Sequence, residues 1–231
     1  MFPSADLIIA CPSCSALSKV FAPGMGDILG TIIWSDGFRD MPMMPTPPRI
    51  TRCHSCNQIF WVGQAQTIGY LTPDTEPSPV HLVWMEAPHA RPLDEQGFLE
   101  AISSGLPFDG ESELELRVHA WWRGNDRFRQ DASGTGYPTG EEALQNLEQI
   151  VNLTADGDET LLLFRAEALR QLGRFSEVHD TLSGVYCSDL WPAKSKQLEW
   201  ASKQDRQLHK LFDSLLPQPT AESGQTSDAL S

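Results

Sequence analysis

Apolar residues recur along the chain with two different periods. Before residue 70 they fall in short β-like runs, and Leu7–Ala10, Thr31–Trp34, Arg49–Arg52 and Gln58–Val62 each read as a strand. Ser35-Asp36-Gly37 closes the second run, and Asp-Gly behind a β-rich run is a turn signal. Residues 41–48 hold Pro42, Pro45, Pro47 and Pro48, which excludes helix and central strand there. Residues 72–92 carry five more prolines and read as a linker or extended wrap, with a short strand at Val80–Trp84. Leu93–Ser103 reads as a short helix capped by Asp94.

From about residue 111 the period becomes helical. Leu114, Val118, Trp121 and Trp122 lie on one face of a helix expected to end near Gly124-Asn125. Residues 130–140 read as loop. Thr139 with Glu142 forms a capping box before a stripe of Leu144, Leu147, Ile150 and Val151. Asp158 caps the run Glu159–Leu172, and Gly173 stands where a left-handed stop belongs. Ser176 caps the next helix with Phe175 as its staple. Pro192 opens a last helix reaching Leu216, with Leu198, Ala201, Leu208, Leu211, Phe212 and Leu215 as its buried stripe. The polar tail 217–231 is expected to be disordered. The organisation is therefore α+β: a β-rich unit over 1–70, a Pro-rich linker with a short helix over 71–110, a helical domain over 111–216, and the tail.

Apolar residues make up 40% of the 231 positions and charged residues 21%, enough for a buried core. Uninterrupted apolar runs are short, such as Leu7–Ala10 and Leu161–Phe164, whereas a spanning helix needs about 20 residues, so no membrane segment is expected. No Lys or Arg precedes Lys19 and Asp6 interrupts the start, so a secretory leader is not expected and the protein reads as cytoplasmic. Charge is uneven. Residues 1–70 balance Lys19, Arg39, Arg49 and Arg52 against Asp6, Asp27, Asp36 and Asp40, so the net charge of −14 belongs to the remainder. An acidic second half repels a phosphate backbone.

The chemistry lies in Cys11-Pro-Ser-Cys14 and Cys53-His-Ser-Cys56, two C-x-x-C pairs separated by residues 15–52. Two such turns supply four thiolates, a complete tetrahedral shell for a structural Zn²⁺ with no open position. Iron in a rubredoxin-like site, a single thioredoxin-like pair, disulfides, and His54 as a replacement ligand are the rival readings. Cys187 has no partner and reads as a small buried hydrophobe. No phosphate-binding loop, nucleophile elbow or H-E-x-x-H motif occurs, and a non-enzymatic role is expected.

The strings Ala10-Cys-Pro-Ser-Cys14 and Arg52-Cys-His-Ser-Cys-Asn57-Gln-Ile-Phe-Trp61 resemble the two knuckles of a zinc ribbon, with Ser15 and Asn57 where ribbons usually carry Gly. Ala166-Glu-Ala-Leu169 through Gly173-Arg-Phe175-Ser-Glu177-Val178 resembles the middle of a tetratricopeptide repeat, which implies a helical hairpin and a protein partner. The order of ribbon, Trp-Trp-Arg-Gly-Asn-Asp and hairpin resembles uncharacterised bacterial proteins, which implies no activity. Trp121, Trp122, Arg123, Arg127 and Arg129 stand out in the acidic half, either as a recognition patch or as the seam between ribbon and helices. The first functional reading is a zinc-stabilised adaptor for another protein. The second is a nucleic-acid-binding regulator contacting its target through Arg39, Arg49, Arg52, Trp34 and Trp61, against which the neutral ribbon counts. The third is an iron redox protein.

Overall fold

The computed structural model describes residues 5–22, 29–44, 46–130 and 136–213. The fold is α+β, with small antiparallel sheets followed by helices. β1 (Asp6–Ala10) is central in the first sheet, between β2 (Leu17–Phe21) and an edge strand from later in the chain. Its Ile8 and Ile9 are both fully buried, as expected of a strand covered on both faces. β3 (Ile32–Trp34) and β4 (Arg39–Asp40) form a hairpin across Ser35-Asp36-Gly37. β5 (Ile50–Arg52) and β6 (Ile59–Trp61) form the hairpin around the second cysteine pair. β7 (Gln66–Leu71) then returns to β1 as the edge strand of the first sheet.

Seven α-helices follow among the described residues: α1 (Pro79–Glu86), α2 (Glu95–Ser103), α3 (Gly110–Gln130), α4 (Glu141–Leu153), α5 (Glu159–Leu172), α6 (Phe175–Leu182) and α7 (Trp191–Ser202). The main core joins Val118 and Trp121 of α3 to Leu147 and Ile150 of α4, Ala166 and Leu169 of α5, and Val178 and Leu182 of α6. A second core seats Ile50, Ile59 and Trp61 of the β5–β6 hairpin on Phe98, Ala101, Leu116 and Ala120 of α2 and α3. The last strand, β8 (Lys210–Asp213), pairs antiparallel with β3, so residues 32–40 and 210–213 share one sheet.

Several local signals act as expected. Asp94 and Asp158 accept hydrogen bonds from Gly97 N–H and Leu161 N–H, capping α2 and α5. Gly173 takes the left-handed conformation at φ 84°. Other expectations are corrected. Val80–Trp84 is helix, not strand, because Ser78 accepts from the His81 N–H as N-cap and Pro79 sits in the first turn, where its missing N–H costs nothing. α3 runs through Gly124-Asn125 to Gln130. Gly124 lies where an added Cβ would come 2.5 Å from Glu95 Oε1, so this glycine serves close packing and not a helix stop. α4 begins after Gly140 with no side-chain cap, so the Thr139 capping box does not form. α6 begins at Phe175 after Arg174, two residues earlier than a Ser176 cap would start it. The last helix ends at Ser202, not Leu216. Gln204 turns left-handed at φ 55° and Asp205 N–H bonds back to Trp200 O, which reverses the chain into β8. Leu211 and Phe212 are therefore strand residues. β2 and β7 were not anticipated, and the expected tail at 217–231 lies outside the described residues.

A buried polar network anchors this reversal. Arg170 and Glu167, one turn apart on α5, are both fully buried and paired at 2.5 Å. Ser35 Oγ donates to Glu167 Oε1 at 2.6 Å, and Gln171 Nε2 donates to the same oxygen at 3.1 Å. The Arg170 guanidinium also donates to Asp205 O at 2.5 Å and Gln207 O at 2.6 Å, holding the segment that leads into β8.

Candidate metal centre

Each cysteine pair sits in a turn of the same construction. Cys11 N–H donates to Ala16 O and Ser15 N–H to Cys11 O, both at 2.9 Å. In the second turn, Cys53 N–H donates to Gln58 O at 2.9 Å and Asn57 N–H to Cys53 O at 3.0 Å. Ser15 and Asn57, the residues after the second cysteine of each turn, take φ values of 61° and 62°. The turns thus use the left-handed conformation that glycine ordinarily fills. Serine is strained there by roughly 1 kcal/mol, and asparagine less. Ser15→Gly should therefore raise the melting temperature by about 1–2 °C, after allowance for the greater unfolded-state entropy of glycine, and Asn57→Gly by less. Calorimetry of the two variants at equal metal content checks this ordering.

The two turns bring Cys11, Cys14, Cys53 and Cys56 together, with one sulfur from each lying within 4.8 Å of every other. Cys11 Sγ is 3.7 Å from Cys56 Sγ, and Cys14 Sγ is 3.6 Å from Cys53 Sγ. A tetrahedron with metal–sulfur bonds of about 2.3 Å has sulfur–sulfur edges of about 3.8 Å. The four thiols therefore fit one metal ion. Cys11 and Cys53 are buried among Ile9, Val20 and Phe60, whereas Cys14 and Cys56 are exposed. The candidate ligands are thus half core and half surface. His54 is exposed and stands outside the cluster.

The thiols act on one another. Burial raises the Cys53 thiol, but the N–H groups of Cys56 and Ser55 and the neighbouring Cys14 and Cys11 outweigh it, and its pKa falls to about 7. Cys56 is helped by the Gln58 N–H, yet Cys14, burial, Cys53 and Cys11 push it up to about 12. A cation among the sulfurs would take the place of those thiol contacts, so that metal binding and deprotonation proceed together.

The Trp–Arg segment of α3 makes contacts within the chain. Trp121 is buried and donates to Gln171 Oε1 at 2.9 Å. Trp122 donates to Asp36 O at 2.9 Å and meets Phe38 edge-on. Arg123 pairs with Asp126 at 3.0 Å. Arg129 pairs with the fully buried Asp36 and with Asp126, and lies 4.3 Å from the Phe38 ring centroid. Arg127 is exposed beside Phe128. These side chains fasten the β3–β4 hairpin to α3. Burial pushes the Asp36 carboxyl above its usual range, opposed by Arg129, Asn125 and the Phe38 N–H. The part played by Asp36 was not foreseen, because an Asp-Gly pair behind a strand reads as a turn and nothing more.

The residues considered for nucleic-acid contact divide between exposed arginines and buried tryptophans. Arg49 pairs with Glu115 at 3.0 Å and Arg52 with Glu100 at 2.5 Å, and Trp34 and Trp61 are buried. Arg39 is exposed. Cys187, expected inside, is exposed instead in the turn after α6, where its N–H donates to Glu159 Oε2 at 2.6 Å. The α5–α6 pair forms the expected helical hairpin about Gly173, with Ala166 and Val178 buried. No helix among the described residues is long and apolar enough to cross a membrane.

His119 lies in the α2–α3 seam, stacked on Phe98 and edge-on to Trp122. Burial, then the positive charges of Arg123 and Arg49, depress it to about 4. The folded protein therefore keeps His119 neutral where the unfolded chain protonates it. Its contribution is fully present above about pH 6.5 and is lost as pH falls toward 4, reaching about 3 kcal/mol. His119→Phe should remove that part of the slope, seen as a smaller difference between urea midpoints at pH 7 and pH 5 than in the wild type.

Comparison of the chain with protein-family models, with curated proteins and with solved structures found no match in any of the three. The ribbon and tetratricopeptide resemblances therefore rest on the quoted motifs and, for the ribbon, on the gathered sulfurs.

Proposed function

We propose that the chain is a zinc-stabilised adaptor whose metal is structural and whose work is to hold another protein. The observation that carries this reading is the convergence of four sulfurs on one point. Four thiolates close the shell of a zinc ion and leave no position for substrate or water. The metal then stabilises the turns that join β1, β2, β5 and β6, and through Ile50 and Trp61 it supports the surface presented by α2 and α3. An open groove of about 980 Å³ between α2, α3 and α4, with Leu99 and Leu144 in its wall and Glu100 and Glu141 at its rim, supports a binding role. Trp121, Trp122 and their neighbouring arginines act in this reading mainly by fixing the hairpin, with Arg127 free to meet a partner.

Elemental analysis of the purified protein, run beside affinity capture with the native chain, is the test. The reading expects one zinc per chain, no visible colour, and a stoichiometric protein partner that is lost when a chelator strips the metal. One iron per chain with thiolate-to-iron absorption would replace it with the redox reading. Capture of nucleic acid with a steep salt dependence would replace it with the regulator reading.

A further inference from the structure

Helix α1 shows solvent a face that a soluble protein normally covers. Its inner side is accounted for: Trp84 sits where a Cβ on Gly69 of β7 would meet it at 2.4 Å, His81 packs beside Trp84, and Lys19 of β2 donates to Met85 O at 2.8 Å. Around the rest of the helix Val80, Leu82, Val83 and Met85 are 57%, 53%, 56% and 42% exposed, and the helical period turns Leu82 furthest from Trp84. Four large apolar side chains on one eight-residue helix are a concentrated patch and not the scattered exposure common to protein surfaces.

The charges along this stretch of chain are of one sign, and the cation seen at the helix, Lys19, is engaged by Met85 O. Between Cys53 and Ala90 the chain holds no Lys or Arg, while Asp74, Glu76 and Glu86 are all exposed. None of the three carboxylates enters a salt bridge among the described residues, unlike the groove beside α2, where Arg52 pairs with Glu100. A second copy of the chain would bring these carboxylates against each other, and an anionic lipid surface would be repelled by them.

We propose that the outer face of α1 is the docking site of the adaptor for a basic amphipathic segment of a partner protein. Apolar side chains of that segment cover Val80, Leu82 and Val83, and its Lys or Arg residues meet Asp74, Glu76 and Glu86. This deepens the adaptor reading and rests on it.

The test is selection from a displayed random-peptide library on the full zinc-loaded chain. Titration of the enriched peptides against the wild type, Val83→Asp and Glu76→Lys/Glu86→Lys follows. Far-UV circular dichroism and zinc content identify variants that keep the fold, and the charge-reversal variant leaves the apolar face intact. Expected are peptides with apolar residues three or four apart and flanking Lys or Arg. They should bind at least tenfold more weakly to each variant and more weakly as salt rises. Enriched peptides that bind Val83→Asp as well as the wild type overturn the site while leaving the adaptor reading standing. Val83-dependent peptides without basic residues overturn the partner chemistry. A dimer in light scattering that Val83→Asp abolishes assigns the face to a second copy and overturns the proposal. Failure to enrich any peptide overturns both the site and the adaptor reading.

Discussion

Cys53→Ser is expected to abolish metal binding and to open the amino-terminal sheets to protease. The magnitude follows from the size of the contribution at risk. Structural zinc supplies on the order of 10–16 kcal/mol of apparent folding free energy in small zinc units, comparable to or larger than the whole stability of a typical domain. Cys53 is also 1% exposed and packed with Ile9, Val20 and Phe60, so serine places a hydroxyl in that core. Cys14→Ser separates the two effects, because Cys14 is an exposed member of the cluster with little packing to lose. Both variants should lose the metal in elemental analysis, and Cys53→Ser should lose more thermal stability. A Cys53→Ser protein that retains one metal per chain and the wild-type protease resistance would falsify the metal assignment.

Arg170→Met is expected to cost about 3–5 kcal/mol, through what it leaves behind. Without the guanidinium, the Glu167 carboxylate remains fully buried with only Ser35 and Gln171 to donate to it, and the carbonyls of Asp205 and Gln207 lose their donor. For a chain of this length that corresponds to a fall of roughly 10 °C in melting temperature. Pairing Arg170→Met with Glu167→Gln should recover much of the loss, since an isolated buried charge costs more than a neutral pair. A calorimetric series of the two single variants and the double variant checks both statements. The single and double variants melting together would show that the pair is not the source of the effect.

What could be read directly from the chain was governed by short separations. A C-x-x-C turn is set by its own four residues, so both knuckles are visible as strings, and their convergence needs only that one metal use them all. The caps at Asp94 and Asp158 and the left-handed Gly173 are equally local. The misreadings share a different cause. Gly124-Asn125 has the composition of a helix stop, but Gly124 accommodates Glu95 and Asn125 donates to Asp36, 89 positions earlier. Ser35 reaches Glu167 across 132 positions, and a Glu–Arg pair three apart on a helix ordinarily marks a solvated face. The stop after Ser202 escaped notice because Gln204, not glycine, carries the left-handed turn. Val80–Trp84 has strand-like composition, and the cap supplied by Ser78-Pro79 decided against it.

The pairing of β3 with β8 ties the order of synthesis to the order of assembly. Both cysteine pairs lie before residue 57, and β7 completes the first sheet by Leu71, so that region can gather its sulfurs while later residues are still being added. The β3–β4 hairpin has no such independence. Its second neighbour is translated about 170 residues later, on the order of ten seconds at typical elongation rates. During that interval the free side of β3 carries unpaired backbone groups, the kind of edge that recruits stray strands from other nascent chains. Ribosome-associated chaperones would find their period of greatest use on this polypeptide in that interval, and a slowed ribosome downstream of α5 would lengthen it.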